Sequence, residues 1–254
     1  MRSPPYLTEL LTRLPAELSG DQLFLHLGHF VDGNTDMRRA QRRMNEELLG
    51  RSALEPGNAV LDVGCGIGGT LAAVGAGFDR VGVNIGADQL AVAERSVPGV
   101  RWVHADATQL PFEDDSFDRI LCIEAAFHFS SRRAFFREVA RVMRPNGRLV
   151  MSDILIHSGA PADIVALVTE GLAPWPDPLR SPESLPEIAA PLELEIDDVT
   201  SAVAPSFSAL MGVDALADPR GCTDGGDRGT AALGHLCQLG LLSVVYATGQ
   251  LKTA

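Results

Sequence analysis

The chain has 254 residues, which at roughly 150 residues per domain leaves room for one large domain or two small ones. With 46% hydrophobic and 21% charged residues it carries ample apolar material for a core, which excludes a disordered chain and a disulfide-stapled miniprotein. Its formal net charge of −12 repels polyanions and counts against a general nucleic-acid binder.

Residues 1–18 carry Arg2, Glu9, Arg13 and Glu17 and break at Pro4, Pro5 and Pro15, so no secretory leader is expected there. Asn34 is expected to cap a helix over 35–49, with Met37, Ala40, Met44 and Leu48 at helical spacing and Gly50 at a left-handed stop. Apolar runs of strand length follow at 59–63, 80–84, 100–104, 118–123 and 148–154, with helical patterns at 87–96 and 132–144 between them. On the second of those helices, Phe135, Phe136, Val139, Val142 and Met143 form a core stripe. Its Arg132, Arg133, Arg137, Arg141 and Arg144 are therefore read as a solvated face, not a nucleic-acid surface.

Beyond residue 158 the prolines from Pro174 to Pro191 suit a cover segment, on which Trp175, Phe207 and Met211 are candidates for an apolar acceptor pocket. Residues 192–200 and 243–251 read as two more strands, and Gly212–Gly229, rich in Gly and Asp, as a mobile loop. Residues 229–251 carry no Asp, Glu, Lys or Arg over 23 positions, long enough to raise a membrane span. Their glycines, with His235, Gln238, Ser243 and Gln250, favour a helix followed by a buried strand. Cys65, Cys122, Cys222 and Cys237 form no C-x-x-C pair, and reduced thiols in a cytoplasmic protein are expected. His26 and His29 lack a third ligand, so no metal is expected.

Strands alternating with helices require parallel crossovers, hence an α/β, doubly wound sheet. Leu61-Asp62-Val63-Gly64-Cys65-Gly66-Ile67-Gly68-Gly69 ends the first strong strand and opens a helix, the place where a nucleotide-like ligand approaches backbone. Gly64, Gly66 and Gly69 satisfy G-x-G-x-x-G, which alone is weak evidence. At the end of the second strand, where a ribose-binding acid is expected, stands Asn84, whose amide can still bond a hydroxyl. After the third strand, Asp106 can accept from an exocyclic adenine amine or cap a turn.

These segments, together with Val81-Gly82-Val83-Asn84, Ala105-Asp106-Ala107, Leu110-Pro111-Phe112, Ser116-Phe117-Asp118 and Arg141 to Leu149, resemble the class I S-adenosylmethionine-dependent methyltransferases, especially bacterial sugar and natural-product tailoring enzymes. The resemblance covers residues 55–155 in order and spacing. It implies a Rossmann-like seven-stranded, mostly parallel sheet with an antiparallel last strand. S-adenosylmethionine is then the cofactor, with Gly64 and Gly66 at its methionine end, Asn84 at the ribose, and Asp106 with Ala107 at the adenine. Asp62, Cys65, Ile85 and Gln89 line the same site. Leu27-Gly28-His29-Phe30 resembles the N-terminal element such enzymes fold over the cofactor, although an aromatic usually stands at the place of His29. The implied organisation is a single domain: an N-terminal cap over 1–50, a cofactor-binding core over 51–155, a substrate cover over 156–230, and a terminal helix and strand over 231–254.

Within Phe117 to Ser130, Glu124 follows a buried strand and His128 comes one helical turn later, at the sheet edge where ligands of open α/β folds sit. Histidine suits the removal of a hydroxyl proton because its ordinary pKa of about 6.5 leaves a neutral, accepting nitrogen. Asp153, after the fifth strand, is placed to orient the imidazole or bind the acceptor hydroxyl, and Glu124 to position the cofactor or a cationic amine. The expected partner is a small-molecule acceptor, with neither nucleic acid nor membrane, and homodimer formation is left open. O-methylation with His128 as base is the leading reading. N- or C-methylation by positioning, a nicotinamide-dependent oxidoreductase, and a cofactor-bound protein without transfer chemistry are the alternatives.

Overall fold

The computed structural model describes residues 6, 11–12, 23–172 and 182–252. Seven strands, β1 (Ala59–Val63), β2 (Asp79–Asn84), β3 (Arg101–His104), β4 (Phe117–Ile123), β5 (Met143–Ile156), β6 (Leu192–Asp198) and β7 (Leu242–Leu251), lie in the order β3-β2-β1-β4-β5-β7-β6. The β1–β2, β2–β3, β1–β4 and β4–β5 pairs are parallel, whereas β7 runs antiparallel to both β5 and β6. The chain therefore winds outward in two directions from β1, and the switch between β1 and β4 opens the crevice in which ligands of such sheets bind.

Alternation of side chains along the strands sorts the core onto two faces. Val60, Leu121, Val150 and Val244 pack with Met44 and Leu48 of helix Met37–Arg51, Val168 of helix Ala162–Leu172, and Leu236 of helix Gly225–Gln238. On the other face Leu61, Ile120, Leu149 and Met151 meet Phe135, Phe136 and Val139 of helix Arg132–Val142. Ile164, Phe207 and Leu216, from the segment read as a cover, belong to the first of these cores.

Several local expectations need correction. Asp36, not Asn34, caps the first long helix, accepting from Arg39 N at 3.0 Å, while Asn34 accepts from Asp36 N one step earlier. That helix runs through Gly50 to Arg51, and the left-handed residue is Ala53, at φ 49°. The stretch 212–229 is not a loop: helices occupy Val213–Ala217 and Gly225–Gln238. Asp224 caps the longer one by accepting from Asp227 N at 3.0 Å, so its acidic residues serve helix starts, and Ala231, Ala232 and Leu236 are buried. Phe207 is a core residue, Met211 packs partly buried beside that core, and Trp175 lies outside the described residues. Among the described residues no helix is long and apolar enough to cross a membrane.

Candidate active site

The glycine turn leaves β1 with Gly64 at φ 79°, and a Cβ there would stand 2.4 Å from Ala125 Cβ. Only glycine satisfies both the torsion and the approach of the segment after β4. Gly69 needs its missing side chain for another reason, since a Cβ would lie 2.5 Å from the carbonyl oxygen of Leu23. A strap over residues 23–30 thus rests directly on the turn.

The strap is tied at nearly every peptide. Gln41 Nε2 donates to the carbonyls of Phe24 and His26 at 3.3 and 2.7 Å. Leu27 N donates to Glu124 Oε2 at 2.9 Å, and Ser206 Oγ accepts from Gly28 N at 2.9 Å while donating to Gly28 O at 3.1 Å. His29 N and Phe30 N donate to Ala40 O and Ala202 O, each at 2.8 Å. The expected short N-terminal element over the glycine loop is present. His29 serves it by pairing Nδ1 with the Tyr246 hydroxyl at 3.0 Å.

Asp62, at the end of β1, is buried, and loss of solvent raises its carboxyl to about 7. Cys65, one residue past Gly64, is buried and its thiol is pushed up by burial and by Asp62. Asn84 ends β2 with its Nδ2 donating to Gln89 Oε1 at 2.9 Å and its Oδ1 accepting from Ile85 N at 3.0 Å. Its amide is thereby oriented, and the same bond holds Gln89 at the site. Asp106 Oδ1 accepts from both the amide and the hydroxyl of Thr108, at 2.8 and 2.7 Å, which fixes the turn carrying buried Ala107. These expected cofactor residues lie at or just beyond the carboxyl ends of β1, β2 and β3, along one sheet edge.

After β4 the backbone turns sharply at Glu124, whose φ of 47° is unusual for a side-chain-bearing residue. Its amide is held by Ser152 O and Ser152 Oγ at 3.2 and 3.0 Å, and its side chain reaches the strap. Burial raises the Glu124 carboxyl to about 7, against the lowering effect of the Leu27 amide, with Asp153 adding to the rise. Glu124 Oε1 is shielded from solvent and has no hydrogen-bond partner among the described residues.

His128 ends a short 3-10 turn, Ala126–His128. Its Nε2 lies 2.8 Å from the hydroxyl of Tyr6, and its Nδ1 is shielded and unpartnered. Burial, with a smaller effect of Arg132, lowers this imidazole to about 3. Loss of solvent raises the phenol of the partly buried Tyr6, and the charge of Glu124 adds to the rise. The sequence reading missed Tyr6, because no spacing along the chain links it to a residue 122 positions away.

Asp153 does not orient the imidazole. Its Oδ2 and Oδ1 accept from Arg132 Nε and Nη2 at 2.6 and 3.1 Å, Oδ1 also accepts from Ile154 N, and both side chains are fully buried. Arg132 is thus part of the interior and not of the solvated face on which periodicity placed it. Among the described residues no group of three or more His, Cys, Asp or Glu is arranged to hold a metal ion.

A sequence model described as a methyltransferase domain matches residues 61–151, which carry the glycine turn, Asn84, Asp106 and Glu124. Methyltransferase GfsG of Streptomyces halstedii is 36% identical over 203 residues, spanning 74% of this chain and 72% of that protein. The 27-O-demethylrifamycin SV methyltransferase of Amycolatopsis mediterranei is 33% identical over 147 residues, but the match spans only 54% of each chain. Among solved structures, geranyl diphosphate C-methyltransferase of Streptomyces coelicolor A3(2) superposes with a TM-score of 0.74 at 18% identity, covering 98% of this chain and 99% of that one. The 4+2 cyclase SpnF superposes equally well, at 0.75 and 22% identity, covering 98% and 94%, so the fold alone does not fix the reaction. Extended sequence identity to GfsG, joined to the glycine turn and the carboxyl-edge residues after β1, β2 and β3, places this chain among the S-adenosylmethionine-dependent methyltransferases.

Proposed function

We propose that this chain methylates a hydroxyl of a small natural-product acceptor, with His128 receiving the hydroxyl proton. The observation that carries the reading is His128 at the edge beyond β4, its ring held by Tyr6 and its Nδ1 buried without a partner. Two similar proteins are named for O-methylation: the rifamycin enzyme and an O-methyltransferase of Pyrenophora dematioidea, 33% identical over 61% of this chain and 60% of that one.

The cofactor, when bound, supplies a sulfonium-held methyl as the electrophile. Gly64, Gly66, Asp62 and Cys65 would hold its methionine end, Asn84, Ile85 and Gln89 its ribose, and Asp106 with Ala107 its adenine. The residues present fit that group: the turn at Gly64 closes against Ala125 with no room for a side chain, a Cβ at Gly66 would meet nothing closer than 3.7 Å, and Glu124 Oε1 is a shielded acceptor with no partner among the described residues. In this reading the acceptor hydroxyl meets His128 Nδ1 in the tautomer whose Nε2–H donates to Tyr6 Oη, 2.8 Å away. Asp153 acts at one remove, by holding Arg132 beneath the base. Glu124 ties the strap to the site and positions the cofactor end.

His128→Ala tests this. Affinity for S-adenosylhomocysteine should stay within a few-fold, while turnover on a hydroxylated acceptor should fall about 100-fold, the usual scale for losing a general base. Because burial lowers the imidazole to about 3 in the folded chain, His128 itself should contribute no ionisation near 6.5 to the wild-type rate at saturating cofactor. The loss should shrink at high pH, where the acceptor ionises unaided. Full turnover by the variant at neutral pH would remove His128 from the chemistry.

A further inference from the structure

Two acceptors without donors meet at one residue of the strap. His26 Nδ1 lies 2.7 Å from the Leu27 carbonyl oxygen, and a carbonyl only accepts, so Nδ1 carries the ring proton. Burial lowers the His26 imidazole to about 4, which keeps the ring neutral and leaves Nε2 a bare acceptor. Nε2 is shielded from solvent and has no partner among the described residues. On the amide side of the same residue, Leu27 N donates to Glu124 Oε2, and Glu124 Oε1 is shielded and unpartnered as well. Buried polar atoms are rarely left so in native proteins unless a bound group completes them.

Both atoms belong to groups tied to Leu27, in a strap that runs against the glycine turn. The Leu25 Cδ1 lies 4.0 Å from the place a Gly66 Cβ would take, and Leu23 O rests on Gly69. A single hydroxyl offers one proton and cannot serve two acceptors. An ammonium offers three on a positive centre, which the carboxylate favours.

We infer that His26 Nε2 and Glu124 Oε1 together receive the α-ammonium of the cofactor's methionine end, so that His26 is a binding residue that selects for the amino group. The inference rests on the cofactor assignment. It is distinct from the metal reading of His26 and His29, because each imidazole uses Nδ1 on a different protein oxygen.

The test is a cycle between residue and ligand, read by calorimetry on the full chain. S-adenosylhomocysteine is compared with its analogue carrying hydrogen in place of the α-amino group, on wild type and on His26→Asn. Asparagine keeps a donor for the Leu27 carbonyl but has no atom at the place of Nε2. Wild type should bind S-adenosylhomocysteine at least tenfold more tightly than the analogue. His26→Asn should lose about tenfold for S-adenosylhomocysteine and less than threefold for the analogue. Equal losses for both ligands would mean that His26 only packs the strap, and no loss for either would mean that it faces no ligand; both results overturn the inference. If His26→Asn does not fold, Glu124→Gln enters the same cycle with the same expectation, and equal losses again overturn it. Wild type binding neither ligand would instead overturn the cofactor reading itself.

Discussion

At the scale of single residues, the site is built from groups held away from their ordinary ionisation. Glu124 is raised from 4.5 to about 7 in the ligand-free chain, chiefly by burial. An acid raised in this way binds more protons folded than unfolded between those values. Its contribution to stability is therefore present below about pH 4.5 and lost as pH rises through about 7. A cationic ligand beside Oε1 reverses the effect by favouring the carboxylate. Binding of S-adenosylhomocysteine near pH 6.5 should then release a proton, giving a binding enthalpy that varies with the ionisation heat of the buffer. Affinity should rise with pH up to about 7 and level off above it. Glu124→Gln should reduce the buffer dependence, leaving only what the similarly raised Asp62 contributes, and a wild-type enthalpy independent of buffer would show that no cation approaches this carboxyl. Asp106 makes its turn-capping bonds to Thr108 through Oδ1.

At the scale of elements, the pair Arg132–Asp153 joins the start of helix Arg132–Val142 to β5 with both side chains fully buried. The periodicity of Phe135, Phe136, Val139 and Val142 located the helix and its buried stripe, but the helix ends at Val142, and Met143 and Arg144, read as its last turn, open β5. Arg132 escaped that reading because helical spacing ranks faces by hydropathy, while its partner lies 21 residues away on another element. Removing one member of a buried pair leaves an uncompensated charge, at a cost of about 3–5 kcal/mol. Arg132→Met should lower the unfolding free energy, read from urea denaturation, by an amount of that order. Arg132→Met with Asp153→Leu should recover most of it, since an apolar pair of similar volume is often no worse than the ion pair. A single variant as stable as wild type would show that Asp153 finds solvent or another partner.

At the scale of the whole molecule, the strap over residues 23–30 is the piece that joins distant parts of the chain into one site. It touches the glycine turn through Leu23, β4's end through Leu27, and the segment after β6 through Gly28. Ser206 both accepts from Gly28 N and donates to Gly28 O, across 178 positions of sequence. Ser206→Ala leaves a buried amide without an acceptor, which costs about 1–3 kcal/mol. Hydrogen exchange at the Gly28 amide should accelerate by one to two orders of magnitude while amides of β1 and β4 exchange unchanged. Acceleration spread evenly over the sheet would mean that the strap is part of the global unfolding unit and not a separately opening piece.

The sequence by itself determined the α/β class, the strands at the centre of the sheet, the glycine turn and the residues after β2 and β3, because each rests on local signals: continuous apolar runs, helical spacing and glycine at a tight turn. Seven strands and an antiparallel last strand followed from the family resemblance and are present. The stretch 212–229 was misread because Gly and Asp, which favour loops in isolation, here start helices whose apolar residues are buried by the rest of the chain. Only the tertiary structure decided which partner each polar side chain takes: Asp153 with Arg132, His128 with Tyr6, Glu124 and Gln41 with the strap. Those pairings span up to 122 positions, and no one-dimensional period encodes which buried group meets which once the sheet edge brings them together.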